Sequence, residues 1–304
     1  MNKAGILCVL VLMVLLPAVL HAQYQGRVFD KDTSIRITVN GQQRAMAWCG
    51  GFNNPQIAMG DLNQDGKNDL IIYERYVGIR TFINTGTPTQ PHYVYVPKYE
   101  KNFPTVNAGL DTLDYLVLAD YNRDGTPDLF IRGTPGYDVS KGYYNSNHEL
   151  CFTHYKGLYY NNDPANGLGN INAYCNPGDI PSIVDIDNDG DLDFVSYMNG
   201  GTFLYLYKNL QVEMSLPNDS IHVELKDKCW GKVLQGNDRT HQLGVTCNNT
   251  GLRPEAGAKT THSGNTCTLI DMDGDGDYDY LDGNISFNDM VFLRNGKAQY
   301  GKDS

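Results

Sequence analysis

The chain has 304 residues, 41% hydrophobic and 19% charged, with a formal net charge of −11. That length suits one large β domain or two smaller ones, and the acidic balance argues against nucleic acid or an anionic membrane as a partner. Gly (32) and Tyr (21) are abundant and no stretch holds a 3.6-residue apolar period for long, which points to an all-β protein.

The first 22 residues read as a signal peptide. Lys3 is their only charge, Ile6 to Leu16 is unbroken apolar sequence, and Leu20-His21-Ala22 offers a small residue at a cleavage site. A transmembrane anchor fits less well, because the run is short for a hydrocarbon core of ~30 Å. The expectation is an exported chain of residues 23–304, extracellular or at the cell surface, with no membrane span after cleavage. Six cysteines follow the signal: Cys49, Cys151, Cys175, Cys229, Cys247 and Cys267. An even count in an exported chain permits three disulfides. Proximity in sequence favours Cys151–Cys175 and Cys229–Cys247, leaving Cys49 with Cys267. A zinc site is disfavoured because no CxxC or Cys/His cluster is present.

Four segments then repeat one pattern. They run Asp61 to Asp69, Asp120 to Asp128, Asp185 to Asp193 and Asp271 to Asp279, with a side-chain oxygen at positions 1, 3, 5 and 9 and Gly at 6. Apolar runs follow each one, such as Leu70-Ile71-Ile72 and Leu129-Phe130-Ile131, so strand, tight loop, strand is the expected local structure. A second landmark, an Asn after an apolar or aromatic stretch, lies 23, 25, 24 and 24 residues past the first Asp, at Asn84, Asn145, Asn209 and Asn295. Each reads as the end of a third strand. The loops are 59, 65 and 86 residues apart, which suits one four-stranded propeller blade per repeat, with an insertion around Cys229 to Cys247 in the third interval.

Alternating oxygens on a curled backbone suit calcium, which takes 6–8 oxygen ligands at ~2.3–2.6 Å. The first candidate set is Asp61, Asn63, Asp65 and Asp69 with the Lys67 carbonyl, and the second is Asp120, Asn122, Asp124 and Asp128 with that of Thr126. The third is Asp185, Asp187, Asp189 and Asp193 with Asp191, and the fourth is Asp271, Asp273, Asp275 and Asp279 with Asp277. About four Ca²⁺ are expected. The four sets contain 14 aspartates at positions 1, 3, 5 and 9, so most of the chain's net negative charge sits there. Such carboxylates repel unless a cation lies between them, so chelation is expected to destabilise the fold. Ordinary Asp/Asn/Gly turns are the competing reading of any single copy, but four copies in register disfavour it. Magnesium prefers octahedral sites that retain water. An EF-hand needs flanking helices and a carboxylate at position 12, where Ile72, Ile131, Ser196 and Asp282 stand. Contiguous nonapeptide β-roll repeats are excluded by the spacing.

These motifs resemble the FG-GAP/VCBS repeats of integrin α-subunit-like β-propellers, and Phe52 to Asp61 resembles the segment leading into such a loop. The resemblance extends over about residues 45–296 and implies blades with calcium held in the hairpin between their first two strands. The composition is also similar to that of secreted Bacteroidetes proteins with such repeats. Family propellers usually close with six or seven blades, so four loops imply an incomplete propeller.

No nucleophile elbow, HExxH or phosphate loop is present, and the histidines form no evident triad or metal pattern. The expected function is a non-enzymatic, calcium-stabilised scaffold for adhesion or protein interaction, with an extracellular protein or glycan as partner. A carbohydrate-binding module, with Tyr143-Tyr144, Tyr159-Tyr160 and Tyr205/Tyr207 as stacking candidates, is the alternative, as is the non-catalytic part of a secreted hydrolase.

Overall fold

The computed structural model describes residues 34–44, 46–75, 77–104, 114–133, 136–160, 171–198, 203–236, 240–245, 264–285 and 288–301. The expected signal peptide and Cys247 lie outside these residues. The chain divides into two units at Gln43/Arg44. The described part of the first contains a hairpin, β1 (Thr38–Val39) and β2 (Gln42–Gln43). It turns at Asn40-Gly41, where both residues have positive φ, as a tight two-residue hairpin requires.

The second unit is all-β, with four antiparallel sheets in a four-blade propeller arrangement. Blade 1 is β3 (Pro55–Gly60), β4 (Asp69–Glu74), β5 (Gly78–Asn84) and β6 (Tyr93–Tyr95), paired in that order. Blade 2 is β7 (Leu116–Ala119), β8 (Asp128–Gly133), β9 (Gly136–Tyr144) and β10 (Leu150–Gly157), again in sequence order. Two short strands, β11 (Tyr159–Tyr160) and β12 (Ile171–Asn172), join the outer edge of blade 3. Blade 3 itself is β13 (Ser182–Val184), β14 (Asp193–Tyr197), β15 (Leu204–Asn209) and β16 (Val223–Asp227). The expected insertion follows as a separate hairpin, β17 (Leu234–Gln235) and β18 (His241–Gln242). Blade 4 has three described strands, β19 (Asn265–Ile270), β20 (Asp279–Asn284) and β21 (Met290–Leu293). A four-residue helix, Lys297–Tyr300, follows, and no helix among the described residues is long and apolar enough to cross a membrane.

The apolar runs after the acidic loops form the second strand of each blade, which in blades 1 to 3 is buried on both faces, so these segments read as continuous rather than alternating hydrophobics. Successive residues point to opposite faces, and each blade lays one face on the next. Ile71 and Tyr73 of blade 1 pack with Leu116, Leu129 and Ile131 of blade 2. Phe130, Tyr137 and Val139 of blade 2 pack with Ile183, Phe194 and Tyr207 of blade 3. Val195, Tyr197 and Leu204 of blade 3 pack with Cys267, Leu269 and Tyr280 of blade 4. The inner strands β3, β7 and β19, with Gly178 and Ile180, line a cavity of about 600 Å³.

Two disulfide expectations fail. Cys49, Cys151, Cys175 and Cys267 are free thiols, so neither Cys151–Cys175 nor Cys49–Cys267 forms. Closeness in sequence is not closeness in this fold. Cys151 sits on the outer strand of blade 2, whereas Cys175 is buried in the core between blades 2 and 3. Cys49 packs on Phe82 and Tyr95 of blade 1, and Cys267 on blade 3. The Cys229–Cys247 pairing falls outside the described residues through Cys247.

Candidate metal centres

Each acidic loop connects the first and second strands of its blade, as the pattern predicts, and all four share one wiring. The position-1 carboxylate folds back over the loop and accepts the amides of positions 5 and 6. Asp61 accepts Asp65 N at 3.1 Å and Gly66 N at 2.7 Å, and Asp120 accepts Asp124 N and Gly125 N at 3.2 and 2.8 Å. Asp185 accepts Asp189 N and Gly190 N at 3.0 and 2.9 Å, and Asp271 accepts Asp275 N and Gly276 N, both at 3.1 Å. The position-5 carboxylate in turn accepts the amide of position 7, at Lys67, Thr126, Asp191 and Asp277. Two left-handed residues permit this curl. One is Gly at position 6, with φ of 81°, 84°, 102° and 89°; the other is position 4, where Gln64, Arg123, Asn188 and Gly274 have φ of 58°, 59°, 60° and 76°.

The position-9 aspartates Asp69, Asp128, Asp193 and Asp279 are almost fully buried, at 0%, 0%, 0% and 1% exposure. One oxygen of each accepts the position-2 amide, from Leu62, Tyr121, Ile186 and Met272. The other accepts an amide from the third strand or the residues just after it: Asn84 N at 2.7 Å, Gly142 N at 2.8 Å, Asn209 N at 2.9 Å and Asn295 N at 2.9 Å. The Asn landmark is therefore the far end of a staple that starts in the loop. Blade 2 departs from it, because Gly142 supplies the amide and Asn145 instead caps the next turn through Asn147 N and Glu149 N. Burial pushes the Asp193 carboxyl up to about 8 and that of Asp128 to about 6, against the backbone donors that favour their charged forms.

Carboxylates converge most closely in blades 3 and 4. Oxygens of Asp185, Asp187 and Asp193 lie within 4.8 Å of one another, as do those of Asp271, Asp273 and Asp275, and a third group joins Asp187 and Asp189 to Glu213. An ionised carboxylate has about four lone-pair sites. The wiring uses two or three on each position-1 Asp and two on each position-9 Asp, so acceptor capacity remains. Asp189 Oδ2 is buried without a hydrogen bond, Lys208 Nζ lying 3.2 Å away. An all-oxygen donor set with this spare capacity fits a hard divalent cation.

The structure adds features that the motif does not encode. Lys208 pairs with Asp187, Asp189 and Glu213, and Arg294 pairs with Asp273 and Asp275. Each precedes its landmark Asn by one residue, and the corresponding residues in blades 1 and 2 are Ile83 and Tyr144. The loops with four carboxylates thus have a basic side chain at this place, and those with three do not. Burial alone would lower the Lys208 ammonium, but its bonds to Asp187 and Glu213 and its ion pair with Asp189 hold it well above the ordinary lysine range. Asp191 and Asp277, expected to offer only a carbonyl, also use their buried carboxylates to close the turn after the third strand, accepting Val212 N at 3.0 Å and Ala298 N at 2.7 Å. Glu213 lies 20 residues past its loop, and nothing in its sequence surroundings marks it.

The histidines form two described pairs with aspartate. His154 Nε2 lies 2.9 Å from Asp138 on the surface, and His241 Nε2 lies 2.9 Å from Asp282 in the interior. Asp282 also accepts Tyr197 Oη at 2.7 Å and Gln235 Nε2 at 2.5 Å, which docks the β17–β18 hairpin on blade 4. The space beside that cluster is about 10 Å³.

The fold and its loops define a β-propeller repeat protein with four acidic loop motifs. Residues 61–131, from the first acidic loop through Ile131 of the second blade, match the FG-GAP-like repeat family. No curated protein matches the chain. Among solved structures, the chain is similar to an Agrocybe aegerita lectin that recognises non-reducing terminal N-acetylglucosamine, at 15% identity and a TM-score of 0.36, over 75% of this chain and 46% of that one. It is also similar to the Tc holotoxin pore of Photorhabdus luminescens, at 15% identity and a TM-score of 0.37, over 79% of this chain and 9% of that one. The chain spans less than half the length of either.

Proposed function

We propose that this is a secreted, calcium-binding β-propeller that acts as a non-enzymatic scaffold for adhesion or protein interaction. The observation that carries this reading is the wiring of the four loops. Each position-1 carboxylate is curled over its own backbone, and in blades 3 and 4 three carboxylates converge within 4.8 Å. The ligands are the side chains of positions 1, 3, 5 and 9 with the carbonyl of position 7, and calcium supplies the positive charge that lets these carboxylates share one loop. A rigid blade framework then presents the loops and turns as a contact surface. The buried His241–Asp282 pair has no room beside it for a substrate, which favours a docking role for it over catalysis.

Elemental analysis of the purified protein tests the metal, with about four calcium ions per chain expected and a large fall in melting temperature on adding EDTA. An unchanged melt and no bound calcium would remove the reading. Carbohydrate binding is a second reading, favoured by a cleft of about 370 Å³ between the third and fourth loops, with Trp230, Tyr278, Leu206, Lys208 and Asp227 among its lining. Saturable, EDTA-sensitive hits on a glycan array would select it over protein adhesion.

A further inference from the structure

The cavity lined by the inner strands brings three kinds of group together. The first is an open strand edge. β3 pairs with β4 on one side, and among the described residues its backbone makes no hydrogen bond on the other. Such an edge is a template for a further strand. The chain already uses one in this way, because Ile180, ahead of blade 3, forms a parallel bridge with Thr266 on the inner edge of β19. Ile180 N donates to Asn265 O at 2.8 Å, and Cys267 N to Ile180 O at 2.9 Å. The second kind of group is apolar. Ala58 of β3 packs toward blade 2, so Ile57 and Met59 lie on the opposite face, where both line the cavity and are 66% and 49% exposed. The third is a charge. Among the described residues, Arg75 is the one charged side chain that lines the cavity, in a chain of formal net charge −11. It follows β4 directly, at the end of the cavity away from the acidic loop. It meets β3 at the Asp114 carbonyl, which accepts both Arg75 Nη2 and Gln56 Nε2 at 2.8 Å.

The Arg75 guanidinium is only partly committed. Nη2 also donates to the Gly178 carbonyl at 3.1 Å, and Nε has no hydrogen bond, lying 3.7 Å from Asp114 Oδ1. Nη1 donates to nothing among the described residues. Arg132 Nη1 holds the other Asp114 oxygen at 2.5 Å, so two guanidiniums share one carboxylate. Asp179, bonded to Gly264 of the lining, is buried and already occupied by that amide, by Asn265 N and by Asn176 Nδ2. A positive charge with free donors is left at one end of the cavity, and a carboxylate matches it. We propose that this cavity binds the C-terminus of a short extended peptide, with the terminal carboxylate on Arg75, the backbone along the inner edge of β3 and apolar side chains against Ile57 and Met59. Since β3 starts at the Arg75 end, a peptide that ends there runs antiparallel to it. The volume, about 600 Å³, is that of a small-ligand site. None of the loop aspartates lines the cavity, and the site does not depend on their metal.

Calorimetric titration of the purified chain tests the site, using acetylated tripeptides with Val, Leu or Phe at both ends, each as free acid and as C-terminal amide. A free acid should bind at one site per chain, about tenfold tighter than its amide, the difference expected of a charge-assisted hydrogen bond. Arg75→Gln should bring the acid to the affinity of the amide and leave the amide unchanged, which a general loss of structure would not do. Ile57→Asp should weaken both forms, the acid more. Met214→Asp, at an exposed turn of blade 3, should change neither. If Arg75→Gln does not fold, Ile57→Asp and the acid–amide comparison on the unaltered chain decide. No binding by any peptide, acid and amide bound alike, or binding unmoved by Ile57→Asp would overturn the proposal.

Discussion

Arg123 Nη1 donates to the Gly190 carbonyl at 3.1 Å, so a side chain on the second acidic loop holds the backbone of the third. The same guanidinium reaches Gln211 Oε1, and Asn218 Oδ1 at 3.3 Å. Comparable links start at position 4 of the other loops that have a side chain there. Gln64 Oε1 meets His148 Nδ1 of blade 2 at 2.6 Å, and Asn188 Nδ2 lies 3.5 Å from the Gly276 carbonyl of blade 4. Blade 4 has Gly274 at this place, and the series stops.

Replacing Arg123 with Ala should therefore lower stability and also weaken ion binding in a loop that it does not belong to. The lost hydrogen bonds predict a cost of about 1–2 kcal/mol, read from the denaturant midpoint. A calcium titration should show the weakest remaining site in blade 3. If the variant loses affinity only at the second loop, the coupling is absent.

Lys208 competes with any cation held by Asp187 and Asp189, its ammonium lying 3.2 Å from Asp189 Oδ2. Substituting Gln removes one positive charge a few ångströms from a doubly charged ion, an effect on the order of tenfold in affinity in a partly exposed site. Chelator competition should show tighter calcium binding by Lys208→Gln and a salt dependence smaller than that of the wild type. Weaker binding would mean that Lys208 chiefly holds the carboxylates in place.

Gly142 is fixed by contact. A Cβ there would lie 2.1 Å from the Pro127 carbonyl oxygen, and the Gly142 amide is the one bonded to Asp128. Gly142→Ala must push the third strand off the loop, at a cost of about 2–3 kcal/mol. Gly51→Ala, whose Cβ meets nothing within 4 Å, is the control and should be neutral. Equal unfolding midpoints for the two variants would remove this account of blade 2.

The raised carboxyls of Asp193 and Asp128 predict a pH dependence that calcium abolishes. In the folded, metal-free chain these groups hold protons up to about 8 and about 6, whereas unfolded aspartate releases them near ~3.9. The folded state therefore binds more protons than the unfolded one. This contribution to stability is full below the unfolded value and is lost as pH rises through the folded values. In EDTA the melting temperature should fall between about pH 5 and pH 8. Saturating calcium favours the ionised carboxylates, so the gap between the two curves should widen with pH. A metal-free melt that rises over this interval would contradict the assignment.

The loops were legible in the sequence because their backbone requirements select residue types: Gly at a left-handed position, Asp where amides converge, and an apolar run where a strand is buried on both faces. The landmark Asn was legible for the same reason, since three of the four close the staple on the position-9 aspartate. Blade 2 differs in that Gly142, three residues before the landmark, donates to the position-9 aspartate, while Asn145 caps the next turn. Position 4 was not legible. Its left-handed backbone is shared, but Gln and Arg are not residues that advertise it, and their partners lie on another blade. Lys208 and Arg294 reach the loops from the end of the third strand and Glu213 from the turn after it, placements that the loop motif itself does not encode. The free thiols follow the same logic, since which cysteines meet depends on the order in which blades stack.

The staple on the position-9 aspartate takes both of its amides from within one repeat, in every blade. A stretch of gene encoding one such repeat therefore brings along everything needed to fasten its own loop to its own third strand. Duplicating or deleting whole repeats alters how many blades follow one another without orphaning a buried carboxylate. Arg123 and the other position-4 side chains reach across to neighbours and have to be re-matched after each such event. The chain thus separates contacts that each repeat carries whole from contacts that exist only between particular neighbours.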